Sequence, residues 1–583
     1  MTHICYLYVY SYRKLKNVGV SFDPHYSIKV VDNQLKIEKQ SIIPDDFWNK
    51  GIYSVTSIVG GNGTGKTSIL RCLMEVVLDG YNAKDCKGVV VYENNDMLEI
   101  YQSSDHQFPR LTVSSNVPYK EINGLNSIDV MYYSGHFSPF KDRDDVLSAE
   151  LDGAYIASDQ WLLIHDLLSY TNFDSLYLSG RMYSYLNAYQ AQNNARICEL
   201  LMLDGIDKIL HDVQLPHYIL ITENESGAEH LANSLNDKVL IPGFSSNVKD
   251  GRQWKISVLI YSNIINLIAE HKILRDDLLP ILDEWLNFKI DGDILDVFEN
   301  FIQQVDISKN ARFMLETLCE VLKRLVSICN YAEESNMFYI SIEEGKEQLR
   351  GFIDELLNSD YFLTSKFFDI HYSHSVYKNT ILSSGEQEML NLLSRLYYGI
   401  ILRPQRISNL KTPTLLLLDE AEIGFHPEWQ RRYINLLLQF LQKMKMVKPR
   451  IDFQLVVTSH SPIILSDMPL CCVNVLERDK NGYTVVRKEK SETFGENVFN
   501  LYRRAFVMQD GLIGAFASEK IQKVVEDIKH KRNIKSLPQR IKLIGDVQIR
   551  NYLTLKYAKI NKEGAVKLLE EQIKQIKHGD IWK

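Results

Sequence analysis

Long apolar runs are missing from this sequence. Crossing a bilayer takes about 20 apolar residues, and the nearest approach, residues 254–269, is broken by Lys255, Ser257, Ser262 and Asn263. No membrane span is expected. The opening Met1-Thr2-His3-Ile4-Cys5-Tyr6 has none of the basic-then-apolar shape of a secretory signal. Cysteine is also sparse, eight in 583 residues with no C-x-x-C pair. The adjacent Cys471 and Cys472 make no metal site alone. A reduced, cytoplasmic protein is the expectation. No heptad is sustained over several repeats, so a long coiled-coil arm is not indicated. Beyond residue 491 acidic residues are scattered, with no Asp-x-Asp and no His/Asn cluster of HNH type. No nuclease of the chain's own is expected in that stretch.

Charge is unevenly placed. The net charge is −8 over the whole chain, yet residues 519–583 hold 16 Lys+Arg against 8 Asp+Glu, making that tail +8 and the remainder −16. A basic tail on an acidic body suits nucleic acid or an acidic partner surface, with a solvated helix face as the plain alternative.

Against this background stands Gly60-Gly61-Asn62-Gly63-Thr64-Gly65-Lys66-Thr67-Ser68. It follows the apolar run 55–59 and leads into an amphipathic helix, the context a phosphate-binding P-loop requires. The glycines let backbone N–H groups turn toward phosphate, and the helix N-terminus adds partial positive charge. Gly60, Asn62, Gly63, Gly65 and Ser68 would cradle ATP, Lys66 would reach its terminal phosphates, and Thr67 would hold Mg²⁺.

Around the loop, strands are expected at 5–12, 18–22, 88–92, 97–101, 111–113 and 127–133. In the first, Tyr6, Tyr8, Tyr10 and Tyr12 should share one face. Residues 157–360 read mainly as packed helices, among them 254–269 and 312–329. Residues 367–374 alternate like a strand. His371 and His374 lie three apart there and so point to opposite faces, which disfavours a shared metal.

Two further stretches complete a nucleotide site. Ser383, Ser384 and Gly385 open a helix, where a hydroxyl and free N–H groups can hold phosphate. The run Leu415-Leu416-Leu417-Leu418 has the composition of a central parallel strand and ends in Asp419-Glu420. Asp419 suits water-mediated Mg²⁺ binding, and Glu420 suits the orientation and deprotonation of an attacking water. A third strand, 454–457, ends in Thr458-Ser459-His460-Ser461-Pro462, placing His460 where it can bond a γ-phosphate.

In this order the motifs resemble those of the ABC-type ATPase superfamily: Walker A at 60–67, signature at 382–387, Walker B at 415–420 and switch histidine at 460. Residues 419–427 and 458–462 resemble its soluble branch near the OLD, RecF and SMC proteins. The resemblance implies an α/β fold: an ABC-ATPase head of mixed sheet and helices, a largely helical insertion and a basic, helical C-terminal extension. The expected boundaries are 1–156 for the first half of the head, 157–365 for the insertion, 366–490 for the second half and 491–583 for the extension. It also implies catalytic roles for Lys66, Glu420 and His460, and a homodimer or higher oligomer in which Ser383, Ser384 and Gly385 act on the partner's nucleotide.

The sequence departs from that pattern twice. Ser134-Gly135-His136 stands where a Q-loop glutamine would follow its strand, and Glu422-Ile423-Gly424-Phe425 replaces a transporter-like D-loop. The gap from residue 67 to 382 is too long for a transporter subunit.

Residues 493–498 and 510–521 resemble the C-terminal region of the Septu-type antiphage ATPases (PtuA), which also occur in retron systems. That resemblance implies a separate HNH nuclease partner (PtuB-like), with reverse transcriptase, msDNA or other nucleic acid as a further partner. The other readings are a DNA-repair ATPase that binds DNA itself, and an OLD-like nuclease or toxin.

Overall fold

The computed structural model describes residues 2–40, 42–44, 47–79, 87–103, 108–124, 128–135, 154–157, 162, 181–209, 215–223, 250–270, 275–288, 291–357, 368–377, 380–402, 414–487, 491–504 and 513–577. They form two compact units, Met1–Leu501 and Tyr502–Lys583.

The first unit is mixed α/β. Its N-terminal strands are β1 (Thr2–Tyr12), β2 (Leu15–Ser21), β3 (Tyr26–Val31), β4 (Gln34–Lys39) and β5 (Ile52–Gly60), followed by helix α1 (Lys66–Asp79). Next come β6 (Lys87–Asn94), β7 (Met97–Gln102), β8 (Thr112–Ser115), β9 (Tyr119–Ile122), β10 (Val130–Ser134) and β11 (Ala154–Ile156). After helix α2 (Arg181–Leu201) and strand β12 (Tyr218–Glu223), the chain builds helices α3 (Gly251–Glu270), α4 (Arg275–Asn287), α5 (Ile294–Gln304) and α6 (Lys309–Ile328). Strands β13 (Asn330–Ala332) and β14 (Met337–Ser341), helix α7 (Lys346–Leu356) and strand β15 (Phe368–Ser373) lead to α8 (Ser384–Tyr397). The remainder of this unit includes β16 (Thr414–Asp419), α9 (Pro427–Val447), β17 (Phe453–Ser459), β18 (Val473–Arg478) and β19 (Thr484–Arg487).

One sheet organises the head, in the order β11-β10-β16-β17-β5-β18-β19-β2-β1-β6-β7-β9. Strands β10, β16, β17, β5 and β18 run parallel, while β1 pairs antiparallel with β2 and β6. A central parallel strand is covered on both faces, which is why 415–418 is all leucine. Leu415 and Leu417 pack under α1 with Ile69, Leu70 and Leu73. Leu416 and Leu418 face the other layer with Met389, Leu393, Leu437 and Phe440 of α8 and α9.

The tyrosine strand differs from expectation. Register shifts interrupt β1 between Ile4 and Tyr6 and between Val9 and Ser11. Each bulge inserts a residue and exchanges the faces beyond it. Tyr6 and Tyr10 therefore join one core cluster and Tyr12 the opposite one.

Helices α3 to α6 pack around Trp285, which is fully buried against Phe298 and Phe301 at ring separations of 4.9 and 5.2 Å. Strands β12, β13 and β14, which no alternation announced, form a sheet with β15 in the order β13-β14-β12-β15. β15 is the strand expected at 367–374. There His374 Nδ1 lies 3.2 Å from the Leu215 carbonyl oxygen, so that ring has a structural partner.

Among the described residues no helix is long and apolar enough to cross a membrane. Six described cysteines are free, but Cys72 of α1 is disulfide-bonded, against the expectation of a fully reduced chain.

The second unit contains helices α10 (Ala515–Lys529), α11 (Leu537–Lys542), α12 (Val547–Ala558) and α13 (Lys562–Lys577). Val524, Leu537, Ile541, Leu553, Tyr557 and Leu568 form its core.

Candidate active site

The C-terminal ends of β5, β16 and β17 lie side by side, with Asp419 paired to Thr458 and Ser459 to Val59. Ligands of open parallel sheets bind at such edges. From β5 the chain passes through the 60–65 loop into α1. Gly63 and Gly65 have φ of +70° and +105°, a region glycine enters without a Cβ penalty. A Cβ on Gly63 would come within 2.5 Å of Arg478 Nη2, and one on Gly65 within 2.7 Å of Thr484 Oγ1. Both neighbours hold the loop by its carbonyls: Arg478 Nε donates to Gly63 O at 2.9 Å and Thr484 Oγ1 to Thr64 O at 2.7 Å. The carbonyls are thus tied back against β18 and β19. A glycine-rich loop at the N-terminus of a helix fits a polyphosphate.

Lys66 is the first residue of α1 and is almost fully buried. Its ammonium donates to the Gly60 carbonyl at 3.2 Å and sits 3.3 Å from Glu420 Oε1 and 2.5 Å from His460 Nε2. His460 Nε2 is in turn 2.8 Å from Glu420 Oε1. The three side chains that the sequence reading assigned to catalysis therefore meet at one point. With its proton on Nδ1, His460 Nε2 accepts from Lys66; with the proton on Nε2 it donates to Glu420. Burial lowers the Lys66 pKa from the ordinary lysine value, and Glu420, Asp419 and Glu422 pull the other way.

Asp419 ends β16. Its Oδ1 accepts from Thr458 Oγ1 at 2.5 Å and its Oδ2 from Tyr132 Oη at 3.0 Å. Each carboxylate oxygen keeps acceptor capacity after these bonds. With the half-buried Thr67 on the first turn of α1, this oxygen set suits a hydrated Mg²⁺. Glu420 is held at φ +51°, an uncommon conformation for a side chain of this size. Its N–H lies 3.1 Å from Thr458 Oγ1 and 3.2 Å from the Thr458 carbonyl. Local strain of this kind gathers at functional sites.

The signature segment is formed by a capping box. Ser383 Oγ accepts from the Glu386 N–H at 3.4 Å, while Glu386 Oε2 accepts from the Ser383 N–H at 2.8 Å. Ser383 and Ser384 are exposed and Gly385 is buried. No hydrogen bond or ion pair among the described residues joins these three to Lys66, Thr67 or Asp419. Asn62 is exposed in the loop, and Ser68 is half-buried on α1.

Several contributors escaped the sequence reading. Ser134 pairs with Asp419, and a Cβ on Gly135 would come within 2.7 Å of the Glu420 carbonyl oxygen. The place expected for a Q-loop thus abuts the Walker B end; His136 lies outside the described residues. Glu422 is buried, one of its oxygens accepting from Ser459 Oγ and the other meeting no hydrogen-bond partner. Glu422 falls within the 419–427 motif, but only its burial singles it out.

Burial pushes the Glu422 carboxyl from 4.5 up to about 7, with the Ser459 bond pulling it down. A carboxyl that holds its proton more tightly when folded supplies its full stability below the unfolded value. That contribution is lost as pH rises through the folded value, a span worth about 3 kcal/mol. Glu422→Gln should therefore melt progressively higher relative to the unmodified chain between about pH 5 and about pH 8. A melting difference that stays constant over this range would contradict the assignment.

Comparisons with known proteins bear on the same region. Residues 258–466 match the family described as "AAA domain, putative AbiEii toxin, Type IV TA system". About a third of the chain is thus similar to an AAA-type ATPase family. The matched segment holds Ser383–Gly385, Asp419, Glu420 and His460, whereas the loop at 60–67 lies outside it. Protein ea59 of Escherichia phage lambda is 26% identical over 220 residues, covering 37% of this chain and 36% of that protein. The "Retron Vc95 probable ATPase" of Vibrio cholerae serotype O1 biovar El Tor is 26% identical over 117 residues, covering 20% of this chain and 21% of that protein. The chain therefore matches well under two thirds of either relative. A solved structure of the recombination mediator protein RecF-ATPrS in the RecFOR pathway aligns with 84% of this chain and 98% of its own, at 13% identity and a TM-score of 0.21. A score that low establishes no shared fold.

Proposed function

We propose that this chain binds and hydrolyses ATP with Mg²⁺, pairing head-to-head with a second copy so that Ser383, Ser384 and Gly385 of each complete the nucleotide site of the other. The observation that carries the hydrolytic part is the meeting of Lys66, Glu420 and His460 within 2.5–3.3 Å beside Asp419. Lys66 and the loop N–H groups would hold the phosphates, and Thr67 and Asp419 the Mg²⁺, whose charge polarises the phosphate oxygens. Glu420 would take the proton of the attacking water, and His460 would report the state of that carboxylate by exchanging its own partner. Phosphate release from ATP by the purified chain should require Mg²⁺. Release no faster than from heat-denatured chain would overturn the reading.

The reading extends to antiphage defence of the Septu or retron type, in which turnover controls a partner HNH nuclease. It is supported by the Septu-like 493–498 and 510–521 segments and by the likeness to the retron ATPase. Copurification with an HNH nuclease encoded beside it, sensitive to ATP, tests this part. Reverse transcriptase or msDNA would copurify in a retron system.

The second unit supplies a discriminating test. Lys529, Lys531, Arg532 and Lys535 are all exposed around the end of α10. If they contact nucleic acid, replacing all four with glutamine should reduce the slope of log affinity against log salt by about 3. An unchanged slope would remove nucleic acid from this surface.

A further inference from the structure

We propose that His3, Cys5, Asp23 and Glu93 form a closed, four-ligand site for a divalent transition metal of the zinc class, separate from the nucleotide site.

The backbone brings these residues together from three places in the chain. His3 and Cys5 lie on β1, Asp23 follows β2, and Glu93 lies on β6 directly opposite His3. The first register shift of β1 falls at Cys5, whose carbonyl accepts from the Phe22 N–H at 2.8 Å. A bulge re-aims a side chain in this way, here toward the residue that follows Phe22.

Among the described residues, this is the group whose donor atoms all lie within 4.8 Å of one another. His3 Nε2 is 3.0 Å from Asp23 Oδ2 and 3.4 Å from Glu93 Oε2. Cys5 Sγ is 3.7 Å from both His3 Nε2 and Asp23 Oδ2. Tetrahedral zinc, with bonds of about 2.0–2.3 Å, sets ligand–ligand separations of about 3.3–3.7 Å. The donors already stand close to the corners of such a tetrahedron.

Chemistry selects the ion. One nitrogen, one sulfur and two carboxylate oxygens suit Zn²⁺ and disfavour Mg²⁺ or Ca²⁺, which take oxygen alone. The His3 and Asp23 side chains are 2% and 0% exposed, and that of Glu93 is 12% exposed. Without a metal, His3 and His25 would have to balance the two carboxylates, and the Cys5 thiol would donate to Asp23 Oδ2 over a long 3.7 Å. A divalent cation balances the carboxylates and takes Cys5 as thiolate, its proton leaving to solvent on binding. The outer contacts are those of ligating carboxylates. His25 Nδ1 and the His25 N–H both lie 2.8 Å from Asp23 Oδ1, and Tyr53 Oη donates to Glu93 Oε2 at 3.2 Å.

The site is remote from the P-loop. Tyr53 is the second residue of β5 and Gly60 ends it, a separation of about 20 Å at the rise of a strand. With four protein ligands and no open position, its role would be structural, fastening β1 to the β2–β3 turn and to β6.

The test uses the full chain, purified without chelators or metal-affinity resin. Elemental analysis should find about one zinc per chain. The Co²⁺-substituted wild-type chain should show tetrahedral d–d bands with a thiolate charge-transfer band. Cys5→Ser should abolish the charge-transfer band, and Asp23→Asn should weaken Zn²⁺ binding at least ~10-fold. Lys66→Ala, which alters only the nucleotide site, should keep its zinc. Metal content well below one per chain after Zn²⁺ reconstitution, or an octahedral Co²⁺ spectrum without a thiolate band, would overturn the proposal. So would zinc content unaffected by Cys5→Ser and Asp23→Asn together. The wild-type measurements decide the matter even if a variant misfolds.

Discussion

Glu420→Gln lowers the rate of ATP hydrolysis by about 10²–10⁴-fold while ATP stays bound, the loss expected when a positioned general base is removed. Glutamine has the size of glutamate and can still bond His460, but its amide cannot take a proton from water. The conformation at this position is fixed through the backbone, by the Glu420 N–H held on Thr458 at 3.1 Å and the φ of +51°. The substitution therefore removes chemistry and leaves geometry. With ATP held between the paired heads and not hydrolysed, the variant should accumulate as an ATP-bound dimer. Single-turnover hydrolysis combined with light scattering reads both effects, and a wild-type rate would remove Glu420 from the role of base.

Lys66→Ala should abolish nucleotide binding at concentrations that saturate the unmodified chain, a loss of at least ~10²-fold. The side chain is 4% exposed, and its ammonium faces Glu420 Oε1 at 3.3 Å. Without it, Asp419, Glu420 and Glu422 surround a site with His460 as their nearest remaining basic partner, and a polyphosphate meets repulsion in place of a cation. Removing one partner of a buried ion pair also costs about 3 kcal/mol or more of stability. Binding should therefore be measured by calorimetry on chain shown to be folded by circular dichroism. Lys66→Met, which keeps the apolar stem, separates lost charge from lost packing. ATP affinity within a few-fold of the unmodified chain would contradict the P-loop assignment.

The site was legible in sequence where local chemistry leaves a local trace. A glycine loop between a strand and a helix, four leucines before Asp419-Glu420, and a strand ending in His460 each show within about ten residues. What stayed hidden depends on pairing between distant segments. Strand β12 joins β15, with Tyr218 opposite Ser373, and nothing in 218–223 names that partner. Tyr12 left its expected face because of a bulge, which alternation cannot foresee. Arg478 and Thr484 hold the P-loop from strands more than 400 residues away in sequence. Glu422 stands in the segment that replaces a D-loop, and its burial against Ser459 depends on a strand more than 30 residues away. The His3–Cys5–Asp23–Glu93 cluster carries no spacing signature, because three separate strand ends assemble it.

The central claim is that two copies complete each other's ATP site. It is tested most directly by mixing two inactive chains. One carries Lys66→Ala and keeps its signature segment. The other carries Ser384→Glu: Ser384 is exposed at the start of α8, where a carboxylate favours the helix but repels a facing phosphate. Each alone should hydrolyse no ATP. In a mixed dimer, the P-loop of the Ser384→Glu chain meets the intact signature of the Lys66→Ala chain, so one site in two is whole. An equal mixture should recover about a quarter of wild-type activity, since half the dimers are mixed and each has one working site. A mixture as inactive as its parts, or full activity in the Ser384→Glu chain alone, would contradict the shared site.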